Sequence, residues 1–144
     1  MCSAANFAYR LEHAAPFFKA VVSPPSDSSS VRILGFVVGT LSVASELHHQ
    51  SMFEHAPEGR YLCIHSVVVA AEWRRRGLAS AMLREYLRQV RAEQGSSLDA
   101  VVLICKRHLI PLYEGCGFKL VGPSAVVHGV EQWFECRMPL AEAK

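Results

Sequence analysis

The pattern of hydrophobic and polar positions divides the chain into short apolar runs separated by polar turns. These runs are rich in β-branched and aromatic residues and predict strands over residues 17–22, 31–43, 61–69, 100–105, 118–121 and 132–138. Between residues 79 and 90 the apolar spacing changes to i, i+3, i+4 and i+7, which predicts a helix with one buried stripe. The side chains of that stripe are Ala79, Met82, Leu83, Tyr86, Leu87 and Val90.

Turn and helix signals complete the predicted order of elements. The long helix runs to about Glu93, a short helix is expected over residues 107–115, and residues 11–15 fit the end of a helix. A turn over 23–30 makes the first two strands an antiparallel hairpin, and Gly122–Pro123 predicts another turn. Residues 44–59 are expected to form a loop or short helix. The order predicts one domain of the α+β class, residues 1–144, with helices on a mixed sheet.

Composition excludes several classes of protein. The chain is 51% hydrophobic, too apolar for a disordered segment, yet no run reaches the length of a membrane span. Its N-terminus lacks the pattern of a secretory signal, and a formal charge of +2 gives no footprint for nucleic acid. The five cysteines contain no C-x-x-C pair and lie mostly in apolar runs, as buried thiols do. We therefore expect a cytoplasmic domain with neither a nucleic-acid nor a membrane partner.

The segment that carries most chemical information is the basic turn Arg74-Arg75-Arg76-Gly77 between a predicted strand and the long helix. The first amides of a helix have no intrahelical partner, and the helix dipole favours negative charge beside them. Gly77 lets the backbone approach a ligand closely. This arrangement predicts an anion site, and a phosphorylated cofactor is the expected ligand.

Two ordered segments resemble the GNAT superfamily of N-acetyltransferases. The basic turn is similar to the family's pyrophosphate loop, Arg/Gln-x-x-Gly-x-Gly/Ala, and Leu112 to Phe118 is similar to its Leu-Tyr-x-x-x-Gly-Phe signature. Residues 103–105, 109–113 and 122–127 resemble the arylalkylamine (serotonin) N-acetyltransferase branch more closely, as does His65. That branch has a second histidine where this chain has Cys63, and the family often has asparagine where Lys106 stands. The N-terminal region also looks shortened.

The resemblance implies a fold, a cosubstrate and a set of site residues. The fold would be a mixed, mostly antiparallel sheet with helices on both faces, and acetyl-CoA would be the acetyl donor. His65 would be the general base, Tyr113 the general acid, and the amide of Val67 the oxyanion donor. The acceptor would be a small primary amine, an arylalkylamine or a polyamine. The residues implied to bind CoA are Val67, Val68, Val69, Arg74, Arg75, Arg76, Gly77, Leu78, Ala79 and Ser80.

Several alternatives stay open at this point. Cys63 lies two residues before His65, on the same strand face, so a cysteine nucleophile with an acetylated intermediate is a second hypothesis. His65 could instead be a core histidine and Tyr113 a packing tyrosine. His48, His49 and His55 lack the spacing of a metal site, and no metal is expected. A peptide acetyltransferase, a non-catalytic acyl-CoA sensor and a homodimer formed through an exposed sheet edge also remain open.

Overall fold

The computed structural model describes residues 3–24, 31–44, 54–126 and 129–140. These residues form six strands and three α-helices. The strands are β1 (Phe18–Val22), β2 (Ile33–Ser42), β3 (Tyr61–Val69), β4 (Ala100–Lys106), β5 (Lys119–Pro123) and β6 (Trp133–Pro139). The helices are α1 (Ala4–His13), α2 (Leu78–Gln94) and α3 (Ile110–Gly115).

The strands form one sheet in the order β1-β2-β3-β4-β6-β5. Only the central pair, β3 with β4, is parallel, and the chain crosses between these two strands through α2. The other four pairs are antiparallel, including the β1–β2 hairpin. The predicted α+β class, the mostly antiparallel sheet and the hairpin are therefore confirmed.

Helices cover both faces of the sheet, as predicted. On one face the α2 stripe is buried, and its side chains share a core with strand residues such as Leu62, Val101 and Leu103. On the other face Phe7 of α1 lies against Phe36, with 5.7 Å between the ring centroids. The observed burial confirms the predicted α2 stripe. The stripe was predictable because its spacing fits only a helix.

The structure corrects four predicted boundaries. Helix α1 ends at His13 rather than at Ala15, and it begins at Ala4, where Ser3 caps it by accepting a hydrogen bond from the Asn6 amide. Ala15–Phe17 forms a 3₁₀ turn, so β1 starts one residue later. A 3₁₀ turn over Arg107–Leu109 likewise precedes α3. Gly122 and Pro123 lie within β5 rather than in a turn, which an edge strand tolerates.

Two glycines interrupt the apolar sequence of β2, which predicts a bulge or a close backbone approach at Gly35 and Gly39, and the structure shows a close approach at both. A Cβ atom at Gly35 would lie 3.0 Å from Met82 Sδ, and one at Gly39 would lie 3.0 Å from Tyr86 Oη. Helix α2 therefore sits directly on this strand. The predicted turn over 25–30 and most of the predicted loop over 44–59, including His48 and His49, lie outside the described residues.

Candidate functional site

The central parallel pair separates halfway along its strands. Pairing between β3 and β4 covers Tyr61 with Ala100 through Ile64 with Leu103 and goes no further. Both strands continue beyond this point, β3 to Val69 and β4 to Lys106. The second half of β3 thus has β2 on one side and a cleft on the other. An extended ligand can enter such a cleft and use the backbone of β3 as a sheet edge.

The hydrogen-bond pattern of the ladder determines which amides face the cleft. The Ala70 amide donates to the Leu34 carbonyl at 2.8 Å, and Val69 pairs with Gly35 next to it. Hydrogen-bonded pairs alternate in an antiparallel ladder, so the amides of Val67 and Val69 point away from β2 and into the cleft. The amide of Val68 points toward β2.

A β-bulge lies at the start of the cleft. Val38 pairs with Ser66 and Gly39 with Ile64, so His65 is an extra residue in β3. The bulge changes the phase of the strand: Ile64 before it and Val67 after it both contact the core under α2. The His65 side chain points to the opposite face of the sheet.

His65 is held as a neutral imidazole. Its Nε2 atom lies 2.7 Å from Thr40 Oγ1, and its Nδ1 atom is buried with no hydrogen-bond partner among the residues that the structure describes. Burial, assisted by the positive charge of the buried Arg10, lowers the pKa of His65 from 6.5 to about 3. The imidazole is therefore unprotonated at neutral pH and has a ring nitrogen free to accept a proton, and its low pKa makes it a weak base.

Cys63 lies on the same face as His65, as the period of two predicted, because its strand partner is Thr40. Its side chain is fully buried against Val102 and Val126. Burial, with a smaller effect of the Glu135 carboxylate, raises the pKa of Cys63 to about 12. The thiol stays protonated at neutral pH and is a poor nucleophile, which weighs against the acetyl-cysteine hypothesis.

The basic loop ends in an open helix N-terminus. Gly77 is the N-cap of α2 with φ 76°, a conformation that favours glycine, and no side chain of the described residues caps the helix. Arg75 also has a positive φ of 62°. The amides of Leu78, Ala79 and Ser80 thus lack helical partners, and an anion is a suitable ligand for them.

Two of the three loop arginines have partners within the protein. Arg74 Nε donates to the Val69 carbonyl at 3.0 Å, which connects the loop to the end of β3. The Arg76 guanidinium lies 5.1 Å from the centroid of the Trp73 ring. Their charges are therefore held beside the loop by local contacts, a feature that the sequence did not indicate.

Tyr113 lies on the α2 face of the sheet. Its ring is buried and makes an edge contact with Phe118, with 5.9 Å between centroids. Burial raises the pKa of Tyr113, and the neighbouring thiols of Cys105, Cys136 and Cys116 raise it further. The hydroxyl stays protonated across the physiological range, as a proton donor must be.

The two sequence segments that resemble GNAT signatures meet in space. Arg84 of α2 donates to the Gly115 carbonyl at 2.9 Å, and Cys116 Sγ lies 3.9 Å from the Ser80 carbonyl. The open N-terminus of α2 and the end of α3 are therefore neighbours. His65 and Tyr113 lie on opposite faces of the sheet, and the cleft beside β3 lies between them.

Three polar side chains at this site were not singled out from the sequence. Thr40, Arg10 and Glu135 are buried, at 1%, 4% and 8% exposure. Thr40 and Glu135 interrupt apolar strands, and that interruption was a usable signal. Arg10 gave no signal, because its place near His65 depends on how α1 packs.

His55 has a local structural contact, and its Nδ1 atom accepts a hydrogen bond from the Leu41 amide at 3.0 Å. Within the described ranges no group of three His, Cys, Asp or Glu side chains is placed to hold a metal ion. None of the described helices is both long and apolar enough to cross a membrane.

The fold and this cleft define an acetyltransferase-like domain, and sequence comparison gives the family. The model of the acetyltransferase (GNAT) family matches residues 7–118, and the chain belongs to this family.

Curated relatives of the chain include serotonin N-acetyltransferases. The protein of Mesocricetus auratus is 32% identical over 109 residues, which are 76% of this chain and 52% of that protein. The protein of Homo sapiens is 26% identical over 108 residues, 75% of this chain and 51% of that protein. The chain thus spans about half the length of the curated relatives it matches.

Solved structures share the fold at low sequence identity. The NatC complex bound to Gag peptide and CoA aligns with a TM-score of 0.73 and 18% identity, covering 98% of this chain and 82% of that chain. A GphF GNAT-like decarboxylase in complex with isobutyryl-CoA aligns with a TM-score of 0.75 and 14% identity, covering 97% and 86%. At these identities the likeness concerns the fold.

Proposed function

We propose that the protein is an acetyl-CoA-dependent N-acetyltransferase that transfers acetyl to a small primary amine in a ternary complex. The observation that carries the proposal is the cleft beside β3, with a neutral imidazole on one face and a protonated phenol on the other. Direct attack by an amine on a thioester needs a proton acceptor and a proton donor, and no metal.

The residues of the cleft suit a CoA ligand. The open amides of Leu78 to Ser80 and the loop charges of Arg74 to Arg76 would bind its phosphates, with Gly77 providing the close approach. The cleft-facing amides of Val67 and Val69 would pair with the pantetheine arm as with an added strand, and the Val68 side chain would flank it. Two proteins of similar fold are in complex with CoA and with isobutyryl-CoA, which supports this assignment.

The chemistry follows from the protonation states. Acetyl-CoA supplies the acetyl group as a thioester. His65 would accept the proton of the acceptor amine, directly or through water, because its imidazole is neutral. The Val67 amide would stabilise the oxyanion, and Tyr113 would protonate the departing thiolate. Cys63 would contribute a protonated thiol beside His65 rather than a nucleophile.

The acceptor is proposed to be an arylalkylamine or a polyamine, which the names of the serotonin N-acetyltransferase relatives favour. A protein or peptide acceptor is the second candidate, because the NatC complex, whose structure is similar, contains a peptide. A non-catalytic acyl-CoA sensor is the third, but a sensor needs no buried acid and base.

A homodimer is also proposed, with the sheet edges β1 and β5 as candidate interfaces.

The first experiment measures release of free CoA from acetyl-CoA in the presence of tryptamine, phenylethylamine, spermidine or a mixed peptide library. Turnover with an aromatic amine or spermidine is the expected result. Turnover with peptides alone would favour the second candidate. Tight binding of CoA without turnover on any acceptor would contradict the enzyme proposal and favour the sensor.

Sedimentation equilibrium tests the homodimer, and a monomeric mass would contradict it.

A further inference from the structure

The edge of α2 that faces α3 and β6 carries a groove lined with arginines. The groove has a volume of about 250 Å³, and its lining residues are Arg84, Leu87, Arg88, Arg91, Cys116 and Met138. The three arginines are spaced by four and then three residues, so they lie on one side of the helix. On the other side, Glu93 of α2 pairs with Lys19 of β1 at 3.0 Å. The positive charge of α2 is therefore concentrated along the edge that forms the groove.

The guanidinium groups of this groove have few acidic partners. Arg88 Nε lies 2.7 Å from a carboxylate oxygen of Glu85. Arg84 donates to a backbone carbonyl, and Arg91 faces a weak acceptor, Met138 Sδ at 3.8 Å. Among the described residues, Glu85 is the one carboxylate in contact with any of the three guanidinium groups. Excess positive charge beside a cavity suits a phosphate group, because guanidinium groups donate charge-assisted hydrogen bonds to phosphate oxygens.

The groove is continuous with the open N-terminus of α2. Cys116, which lines the groove, places its Sγ atom 3.9 Å from the carbonyl of Ser80, whose amide belongs to the proposed phosphate site. Arg84 follows Ser80 by one helical turn and lies on the same side of the helix. It is six residues beyond Leu78, which is about 9 Å along the axis, and long helical side chains lean toward the N-terminus. A ligand whose diphosphate lies at the amides can therefore bring a second phosphate to Arg84.

We propose that this groove is a phosphomonoester site that binds the 3′-phosphate of CoA, with Arg84 and Arg88 in contact and Arg91 as a further positive charge. The inference rests on the proposed function, whose cosubstrate it specifies. CoA carries a diphosphate next to its pantetheine arm and a separate phosphomonoester on its ribose. The amides of Leu78 to Ser80 bind the diphosphate, and the groove binds the monoester. Since the monoester has about two negative charges at neutral pH, the groove distinguishes CoA from dephospho-CoA, which lacks only this group.

The first test compares the affinities of CoA and dephospho-CoA by calorimetry at low ionic strength. We expect the wild type to bind CoA at least about tenfold more tightly. Arg84→Gln and Arg88→Gln should each weaken CoA binding about three- to tenfold and leave dephospho-CoA binding unchanged. Arg60→Gln, which removes an arginine that pairs with Asp99 and does not line the groove, is the matched control and should retain the preference. Equal binding of both ligands to the wild type, or an equal loss of both in the groove variants, would overturn the inference.

Glu85→Gln should change the preference in the opposite direction. This substitution removes the carboxylate that pairs with Arg88, so that the guanidinium is no longer partly neutralised. The ratio of the two affinities should rise about two- to fivefold in favour of CoA. A ratio that stays the same or falls would overturn the role of Arg88.

The second test asks whether the groove is occupied when CoA is bound. Inorganic phosphate is titrated into the protein saturated with CoA or with dephospho-CoA, and the Nε–Hε resonances of the arginines are followed by NMR. Phosphate should shift the resonances of Arg84 and Arg88 in the dephospho-CoA complex alone, because the 3′-phosphate fills the groove in the other. Shifts in both complexes would mean that the groove takes a free phosphate ligand rather than the group on CoA. That result, or shifts in neither complex, would overturn the inference.

Activity separates this inference from the proposed function. Turnover with equal kcat/KM for acetyl-CoA and acetyl-dephospho-CoA would overturn the inference and leave the proposed function standing. A preference for CoA that depends on Arg84 and Arg88, in a protein that acetylates no amine, would support the groove assignment and contradict the proposed function.

Discussion

At the scale of single residues, the proposed site uses groups whose protonation does not change near neutral pH. His65 is neutral because it is buried and near Arg10, and Tyr113 is protonated because it is buried among thiols. The pH dependence of activity should then come from the acceptor amine rather than from either side chain.

This view gives a prediction for His65→Ala. Between pH 6 and 10 the wild-type kcat/KM should rise with the deprotonation of the amine, without a step from His65. The variant should lose most activity near neutral pH and recover part of it above pH 9, where more of the amine has already lost its proton. The measurement is a pH–rate profile of both proteins with one acceptor. A uniform loss at every pH would show that His65 positions the substrate or supports the strand.

Tyr113→Phe tests the general acid. Removing the hydroxyl should lower kcat by about ten- to a thousand-fold, and the affinity for CoA should stay nearly unchanged, because the ring and its contact with Phe118 remain. Tyr86→Phe is a matched control, since that buried hydroxyl donates to the Phe17 carbonyl at 2.8 Å and lies in the core. It should reduce stability and preserve kcat. Unaltered turnover in Tyr113→Phe would refute the assignment.

At the scale of elements, the sequence predicted the strands and the amphipathic helix well but not the bulge. The run from Tyr61 to Val69 is apolar at positions facing both sides of the sheet, so a change of phase at His65 leaves no trace in the pattern. The positions of Gly35 and Gly39, in contrast, were informative, because glycine in an apolar strand indicates a bulge or a close neighbour, and Gly39 has both. Elements are predictable where one face differs from the other.

The close packing of Gly39 against β3 and α2 predicts the effect of Gly39→Ala. The new methyl group would lie 2.8 Å from Leu62 Cδ1 and 3.0 Å from the Cys63 carbonyl, and a backbone atom cannot easily move. We expect the free energy of unfolding to fall by about 1–3 kcal/mol. Gly115→Ala, whose methyl group would meet nothing within 4 Å, should be neutral or stabilising by up to about 1 kcal/mol. Urea denaturation of the three proteins compares these values, and equal stability of both variants would contradict the contact.

At the scale of the whole molecule, the site depends on contacts between distant parts of the chain. The loop before α2 meets the end of α3, and α1 brings Arg10 toward His65 on β3. The sequence indicated the first meeting, because both segments resemble signatures with a shared role. It could not indicate the second, since nothing in the local pattern of α1 specifies which strand residue its buried arginine approaches.

Burial of a neutral histidine also makes the stability of the whole fold depend on pH. The unfolded chain binds a proton at His65 near pH 6.5 and the native protein only near pH 3, so between these values the unfolded state binds more protons. Stability from this group is therefore complete above pH 6.5 and falls with acidification, by about 2 kcal/mol between pH 7.5 and 5.0. The lowered pKa of His55 acts in the same direction, so a difference between variants is needed. Urea unfolding at both pH values should show a smaller decrease for His65→Gln than for the wild type, with the exposed His108→Gln as control. An identical decrease in all three proteins would mean that the pKa of His65 is not lowered in the native state.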